Sequence, residues 1–283
     1  MIKNFDLKDW TCFSDRRNSK SYMSNDKKWM VKFGTEFAKT SIESLEREKE
    51  LTDKAISIGV KTPKAGEIVE LPNGELGLIY QYIEGKKSIA RACGEDLDNI
   101  DYYMKRFARI AKDMHSKICD TNMFESIEDR VRVQIKKLKE LNDVQKEKAL
   151  KVLDEIEKKN NCLLGDFQTG NFIMACDEEF VIDLGAIAYG NPDYDIASFY
   201  FFCFYFPSYV TDRIFHCEQK YLHIMWDSFI KHYFDTNDEK VVKELSDKYA
   251  RYALVCFMGM LKFVDPGEEI QMIMDEYFDK TIK

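Results

Sequence analysis

"LLGDFQTGNFIM", residues 163 to 174, sets an Asp, a Gln and an Asn inside a run otherwise suited to a buried strand and its turn, and the chain soon reads "VIDLG" at 181–185. Taken singly, such residues are ordinary turn formers, because Gly, Asp, Asn and Thr supply the dihedrals and local hydrogen bonds that reverse a chain. Taken together, Asp166, Asn171 and Asp183 are three hard-oxygen side chains near the ends of apolar runs. That is the donor type Mg²⁺ prefers when it takes one or two ligands from a protein and completes its octahedron with phosphate oxygens and water. If "CLLGDF", "NFIMAC" and "EFVIDLG" are short strands lying side by side, Asn171 and Asp183 converge on one ion. Asp166 then stays slightly apart, placed to take a proton from a hydroxyl.

Upstream, "KKWMVKFG" (27–34) has the aromatic and β-branched content of a mostly buried strand, and Lys32 is its misfit. The next segment, "TSIESLEREKELTDKAISIG" (40–59), reads as a helix with Thr40 or Ser41 as N-cap and Gly59 just past its end. At 100° per residue, Leu45, Leu51, Ala55 and Ile58 form one stripe, and Glu48 falls near its middle. A lone inward carboxylate and a lone inward ammonium are each costly, and pairing Glu48 with Lys32 resolves both; the alternative is that both sit at solvated edges. "EIVELPNGELGLIYQYIEG" (67–85) then places Asn73-Gly74 between apolar runs, a hairpin signal.

After Gly85 the pattern becomes helical. In "DYYMKRFARIAKDMHSKI" (101–118) apolar residues recur at Tyr103, Phe107, Ile110, Met114 and Ile118. The expectation is therefore an α+β chain of two parts: a small antiparallel sheet with one helix over 1–85, and a larger, mainly helical part over 86–283.

Composition limits the functions open to this chain. With 283 residues, 45% of them hydrophobic and 33% charged, it can bury a large core. A formal net charge of −8 argues against non-specific nucleic-acid binding, which needs a positive surface to displace counterions, and suits a cationic or neutral partner. The eight cysteines form no CxxC pair, so no zinc site is expected. "MIKNFDLKDW" lacks the apolar core of a signal peptide, and "IASFYFFCFYF" (196–206) is too short to span a bilayer; a cytoplasmic protein with a core helix there is expected.

The combination of "LGDFQTGNFI" with "VIDLGAIAYGNPDYDIA" resembles the catalytic signature of the aminoglycoside phosphotransferase and choline kinase-like enzymes, relatives of the protein kinases. "WMVKFG", "EREKELTDKAISIGVKTPK", "LIYQYIEGK" and "DMHSK" follow that family's order, so the resemblance covers roughly residues 10 to 200. It implies a two-lobed protein-kinase-like fold and a small-molecule kinase that moves the γ-phosphate of ATP or GTP to a hydroxyl. Carried over by position, Asp166 orients or deprotonates the acceptor, and Asn171 and Asp183 hold Mg²⁺. Lys32, steadied by Glu48, contacts the α- and β-phosphates, and the backbone of Gln81, Tyr82 and Ile83 meets the base. The resemblance also makes Asp195 a structural support of the catalytic loop and His115 a packing residue.

Three departures stand out. Leu164 occupies a position where the family usually has a His that braces the loop. "CFSDRRNSKSYMS" (12–24) has no glycine where a small-residue turn over the phosphates belongs, leaving Ser, Asn, Arg16 or Arg17 to make such contacts. Gln168-Thr169 replaces a common His-Pro. Only a few residues separate Asp183 from "GNPDYDIA", leaving no room for the long activation segment with which protein kinases dock peptides. A small hydroxylated acceptor is therefore expected, in keeping with the acidic balance a cationic one such as an aminoglycoside or amino alcohol. Glu268, Glu269, Asp275 and Glu276 in "GEEIQMIMDEYFDK" (267–280) are candidates to receive its amines, against the alternative of a solvated terminal face. The Tyr200 to Phe206 aromatics are candidates for a cation cage or, more simply, for core packing. The competing functional class is a kinase-shaped nucleotide-binding or regulatory protein with weak turnover.

Overall fold

The computed structural model describes residues 3–16, 19–35, 40–175, 177–206, 208–262 and 267–282. The chain divides into two compact units: Met1–Lys86 with Met174–Gly185, and Lys87–Ile173 with Ala186–Lys283. The first unit is thus discontinuous, and the segment that returns to it carries Asp183.

In the first unit, β1 (Lys3–Asn4), β2 (Trp10–Arg16), β3 (Ser19–Ser24), β4 (Trp29–Gly34), β5 (Ala65–Glu70) and β6 (Leu76–Gln81) form one sheet in the order β1-β5-β6-β4-β3-β2. All pairings are antiparallel except the short β1, which runs parallel to β5. The Asn73-Gly74 hairpin forms as its sequence predicts: Gly74 takes a φ of +85°, its N–H donates to Leu71, and Leu71 N–H returns to Glu75.

Alternation along β4 buries Val31 and Phe33 together with Val69, against Phe5, Trp10, Tyr22 and Ile79. Met30 and Lys32 therefore point to the other face, where register pairs them with Tyr80 and Leu78 of β6. Helix α1 (Ile42–Ser57) starts at Ser41, whose side chain accepts from Ser44 N–H in a capping box. Its apolar stripe buries Leu45, Leu51 and Ala55.

The second unit begins with β7 (Lys87–Ser88) and the helices α2 (Ile89–Glu95), α3 (Ile100–Ser116), α4 (Ile127–Lys137) and α5 (Asp143–Asp154). Strand β8 (Asn161–Leu163) leads into the loop that carries Asp166; β9 (Phe172–Ala175) follows and passes into the segment that belongs to the first unit, which includes β10 (Glu178–Val181), and β11 (Ala188–Gly190) comes next, in the second unit. The sequence suggested that the three strand ends around the acidic residues lie side by side. Two of them do, β9 beside β10 in the sheet β10-β9-β7. The third departs: β8 pairs antiparallel with β11, Leu163 opposite Ala188 and Asn161 opposite Gly190, so Ala186–Gly190 flanks the loop's entry. Helices α6 (Asp193–Phe204), α7 (Ser208–Phe215), α8 (Gln219–Tyr233), α9 (Glu239–Phe257) and α10 (Gly267–Thr281) complete the unit.

Helix α6 is apolar all round and buries nine residues, from Tyr194 to Cys203, as a central helix packed on α8 and α9 must. Its aromatics stack on one another and on their neighbours, Phe201 on Phe257 at 3.8 Å and Tyr200 on Phe204 at 4.3 Å between centroids. Core packing accounts for them. The described cysteines are free thiols, all buried except Cys12, and no described helix is long and apolar enough to cross a membrane.

Candidate active site

The loop carrying Asp166 and Asn171 is held from below by one buried carboxylate. Asp195, 1% exposed near the start of α6, accepts the backbone N–H of Leu164 at 2.7 Å and of Gly165 at 2.9 Å. His115 Nε2 approaches the same carboxylate at 3.1 Å, and His115 Nδ1 lies 2.8 Å from the Tyr233 hydroxyl. Burial, then the charges of Asp195 and Asp193, push the Tyr233 phenol well above its ordinary range, so it keeps its proton. Tyr233, His115 and Asp195 thus form one chain of contacts that ends on the loop's two backbone amides.

Leu164 thus contributes only a backbone amide, and the imidazole beside the loop comes from α3. This corrects the expectation that His115 is a partly buried packing residue. It is 4% exposed and belongs to the loop's support. Its place on the buried face of α3, one residue after Met114, was the available signal.

Two further contacts fix the loop. Phe167, fully buried, stacks on Phe107 at 5.0 Å and meets Phe172 edge-on at 5.3 Å, anchoring the residue next to Asp166 in the core. Gly165 adopts a φ of +79°, and a Cβ there would lie 2.2 Å from the Ala186 carbonyl oxygen; only glycine allows both the left-handed turn and that approach. The same carbonyl accepts from Arg130 Nη1 at 2.8 Å, and the buried guanidinium is balanced by Glu125 at 3.1 Å.

Above this support, Asn171 Nδ2 donates to the Asp166 backbone oxygen at 2.9 Å and to Asp166 Oδ2 at 2.8 Å. Both amide protons being used, the Asn171 side-chain oxygen is left as an acceptor on a 6%-exposed residue. A hard oxygen so oriented has the chemistry of a Mg²⁺ ligand. Thr169, in the short 3₁₀ turn Thr169–Asn171, is fully buried, and its hydroxyl has no partner among the described residues.

In the first unit, Asp183 is exposed with a φ of +62°. A non-glycine residue held in that region carries strain, which collects at functional positions. The Lys32–Glu48 ion pair expected from sequence is not formed. Glu48 accepts the Tyr80 hydroxyl instead, and Lys32 is exposed with no carboxylate within ion-pair distance among the described residues.

The physical reason lies in the register. Tyr80 shares the α1-side face with Lys32, and its rigid phenol satisfies the carboxylate without desolvating an ammonium. Burial, then Glu48, then Asp183 raise the Tyr80 phenol far above its ordinary value, so the hydroxyl stays a donor and Asp183 lies within electrostatic reach of it.

Of the three backbone positions expected to meet a base, two donors are already used. Gln81 N–H donates to Lys64 at 2.8 Å and Tyr82 N–H to Lys28 at 2.9 Å, leaving the Ile83 amide. Asp275 and Glu276 are exposed on α10, and Asp275 accepts from Gln271 at 2.8 Å. Arg17 and the side chains of Arg16, Glu268 and Glu269 lie outside the described residues.

A sheet-based unit with one helix, a helical unit, and a loop clamped by a buried Asp define a protein-kinase-like phosphotransferase architecture. The family profile described as "Phosphotransferase enzyme family" matches residues 14–216, and the chain belongs to that family.

Solved structures with the same fold include a thermostable mutant of the aminoglycoside phosphotransferase APH(4)-Ia in ternary complex with AMP-PNP and hygromycin B. It is 12% identical, with a TM-score of 0.64, over 97% of this chain and 93% of that one. A Plasmodium vivax ethanolamine kinase is 14% identical, with a TM-score of 0.60, over 94% and 80%. A choline/ethanolamine kinase family protein from Mesorhizobium loti is 12% identical, with a TM-score of 0.57, over 96% and 86%. None of the curated proteins compared matches the sequence.

Proposed function

We propose that this phosphotransferase is a small-molecule kinase, moving the γ-phosphate of ATP or GTP to a hydroxyl of a small, preferably cationic acceptor in the cytoplasm. The observation that carries the reading is the Asp166–Asn171 pair: one amide side chain donating twice to Asp166 within a loop whose backbone is clamped by Asp195. In this reading Asp166 Oδ2, its position fixed by Asn171 and by the neighbouring Phe167, orients the acceptor hydroxyl and takes its proton as the oxygen attacks phosphorus.

Asn171 and Asp183 are the residues that would hold Mg²⁺, which when bound neutralises charge on the nucleotide phosphates. Lys32 contributes a charge to the same phosphates, and Glu48 with Tyr80 sets the edge of that face. Ile83 N–H serves the base. Solved relatives bound to AMP-PNP with hygromycin B, or described as ethanolamine kinases, support the substrate class. The acidic composition and the short span between Asp183 and Gly190 do so as well.

The test is nucleotide consumption across aminoglycosides, amino alcohols and sugars, with ATP and GTP, in wild type and Asp166→Ala. Turnover on one acceptor class, falling about 10²–10⁴-fold in the variant, is expected for loss of a general base. Equal turnover in both proteins overturns the role given to Asp166. Failure of any acceptor, with no thermal stabilisation by nucleotide and Mg²⁺, favours the regulatory reading.

A further inference from the structure

In a chain with 50 acidic and 42 basic side chains, a half-buried ammonium ordinarily finds a carboxylate. Lys86 does not. Its Nζ donates to the Met30 thioether at 3.4 Å and lies 5.9 Å from the ring centroids of both Phe13 and Tyr82. Among the described residues no carboxylate is within ion-pair distance of it. Glu84, the acid two residues before it in sequence, is engaged by Lys27 at 2.8 Å.

A thioether is a weak acceptor, and two ring faces near the limit of cation–π range replace little of the lost hydration. Lys86 is held below its ordinary value first by desolvation and then by the positive charge of Lys32, so the two ammoniums sit within electrostatic reach of one another. Met30 and Lys32 share one face of β4 by strand alternation. The result is a face on which, among the described residues, neither ammonium has a carboxylate within ion-pair distance, with an apolar lining that includes Phe13, itself 43% exposed.

Like charges gathered without a counter-charge are costly unless a polyanion joins them. We propose that Lys86 is a second cation of the nucleotide site, binding the phosphate chain of a nucleoside triphosphate from the sheet face it shares with Lys32. This rests on the nucleotide reading above and adds to it a residue that the sequence pattern did not single out. Phe13, Tyr82 and the Met30 thioether hold the ammonium in place until the anion arrives, and binding exchanges the sulfur contact for a charge-assisted hydrogen bond.

The test measures dissociation constants by calorimetry for ATP with Mg²⁺, for adenosine and for inorganic tripolyphosphate, in wild type, Lys86→Met and Lys86→Arg. Loss of one charge-assisted hydrogen bond predicts that Lys86→Met weakens ATP and tripolyphosphate by about ten- to a hundredfold. Adenosine affinity should be unchanged, and Lys86→Arg should recover part of the loss. Unchanged ATP affinity in Lys86→Met, or equal weakening of ATP and adenosine, overturns the proposal, the latter assigning Lys86 to the shape of the base platform. If wild type binds neither ATP nor adenosine, the nucleotide reading fails. Tripolyphosphate binding that depends on Lys86 would then still support an anion site, and its absence would overturn that too.

Discussion

Replacing Asp195 by Asn keeps the size of the side chain and removes its charge. The carboxylate now accepts from three directions, Leu164 N–H at 2.7 Å, Gly165 N–H at 2.9 Å and His115 Nε2 at 3.1 Å, on a residue 1% exposed. The amide of Asn offers one oxygen to one backbone N–H and turns its own NH₂ against the other, so at least one buried donor is orphaned. An orphaned buried donor costs about 1–3 kcal/mol, and the charged bonds that replaced water were worth more than neutral ones, giving about 2–4 kcal/mol in all. At about 2.1 cal/mol/K per residue, spread over 283 residues, that is a melting temperature lower by about 3–7 °C. Differential scanning calorimetry reads it directly. Nucleotide consumption should fall as well, because the loop that presents Asp166 loses its anchor. Asp195→Asn melting at the wild-type temperature with full turnover would refute the idea that this carboxylate holds the loop.

Gly165→Ala forces a side chain onto a φ of +79° and against the Ala186 carbonyl oxygen; a loss of at least about 2 kcal/mol in urea unfolding is expected, and a neutral result would contradict the loop geometry. In a double-mutant cycle on unfolding free energy, Tyr80→Phe and Glu48→Gln should couple by about 1–2 kcal/mol, whereas strict additivity would show that the phenol–carboxylate bond contributes nothing. For Lys86, whose folded-state value is held below its ordinary 10.5, the sign follows from proton counting. Below the depressed value the folded state carries the charge at its partial desolvation cost; between it and 10.5 the unfolded chain binds more protons, so this group's contribution to stability rises with pH. Lys86→Met should therefore be more stable than wild type near neutrality, with the gap closing as pH climbs toward 10.5. A gap that stays constant across that range would contradict the half-buried, charged state of Lys86.

Local physics made much of this protein legible. The capping box at Ser41, the Asn73-Gly74 hairpin, the stripe of α3 and the alternation of β4 each depend on neighbours in the chain. Propensity and period therefore suffice, and Asp166, Asn171 and Asp183 declared themselves by breaking apolar runs. Partnerships across the chain did not. Periodicity turned Glu48 inward and alternation isolated Lys32, yet which group would meet Glu48 depended on the register of β4 against β6, which brought Tyr80 to it. His115 reached Asp195 because α3 and α6 pack in one core, and β8 chose β11 over its sequence neighbours. Lys86 lost its carboxylates only once Glu84 had turned to Lys27. A sequence states which charges must find a counterpart; distances of a few ångströms, fixed only when sheets and helices pack, decide which ones do.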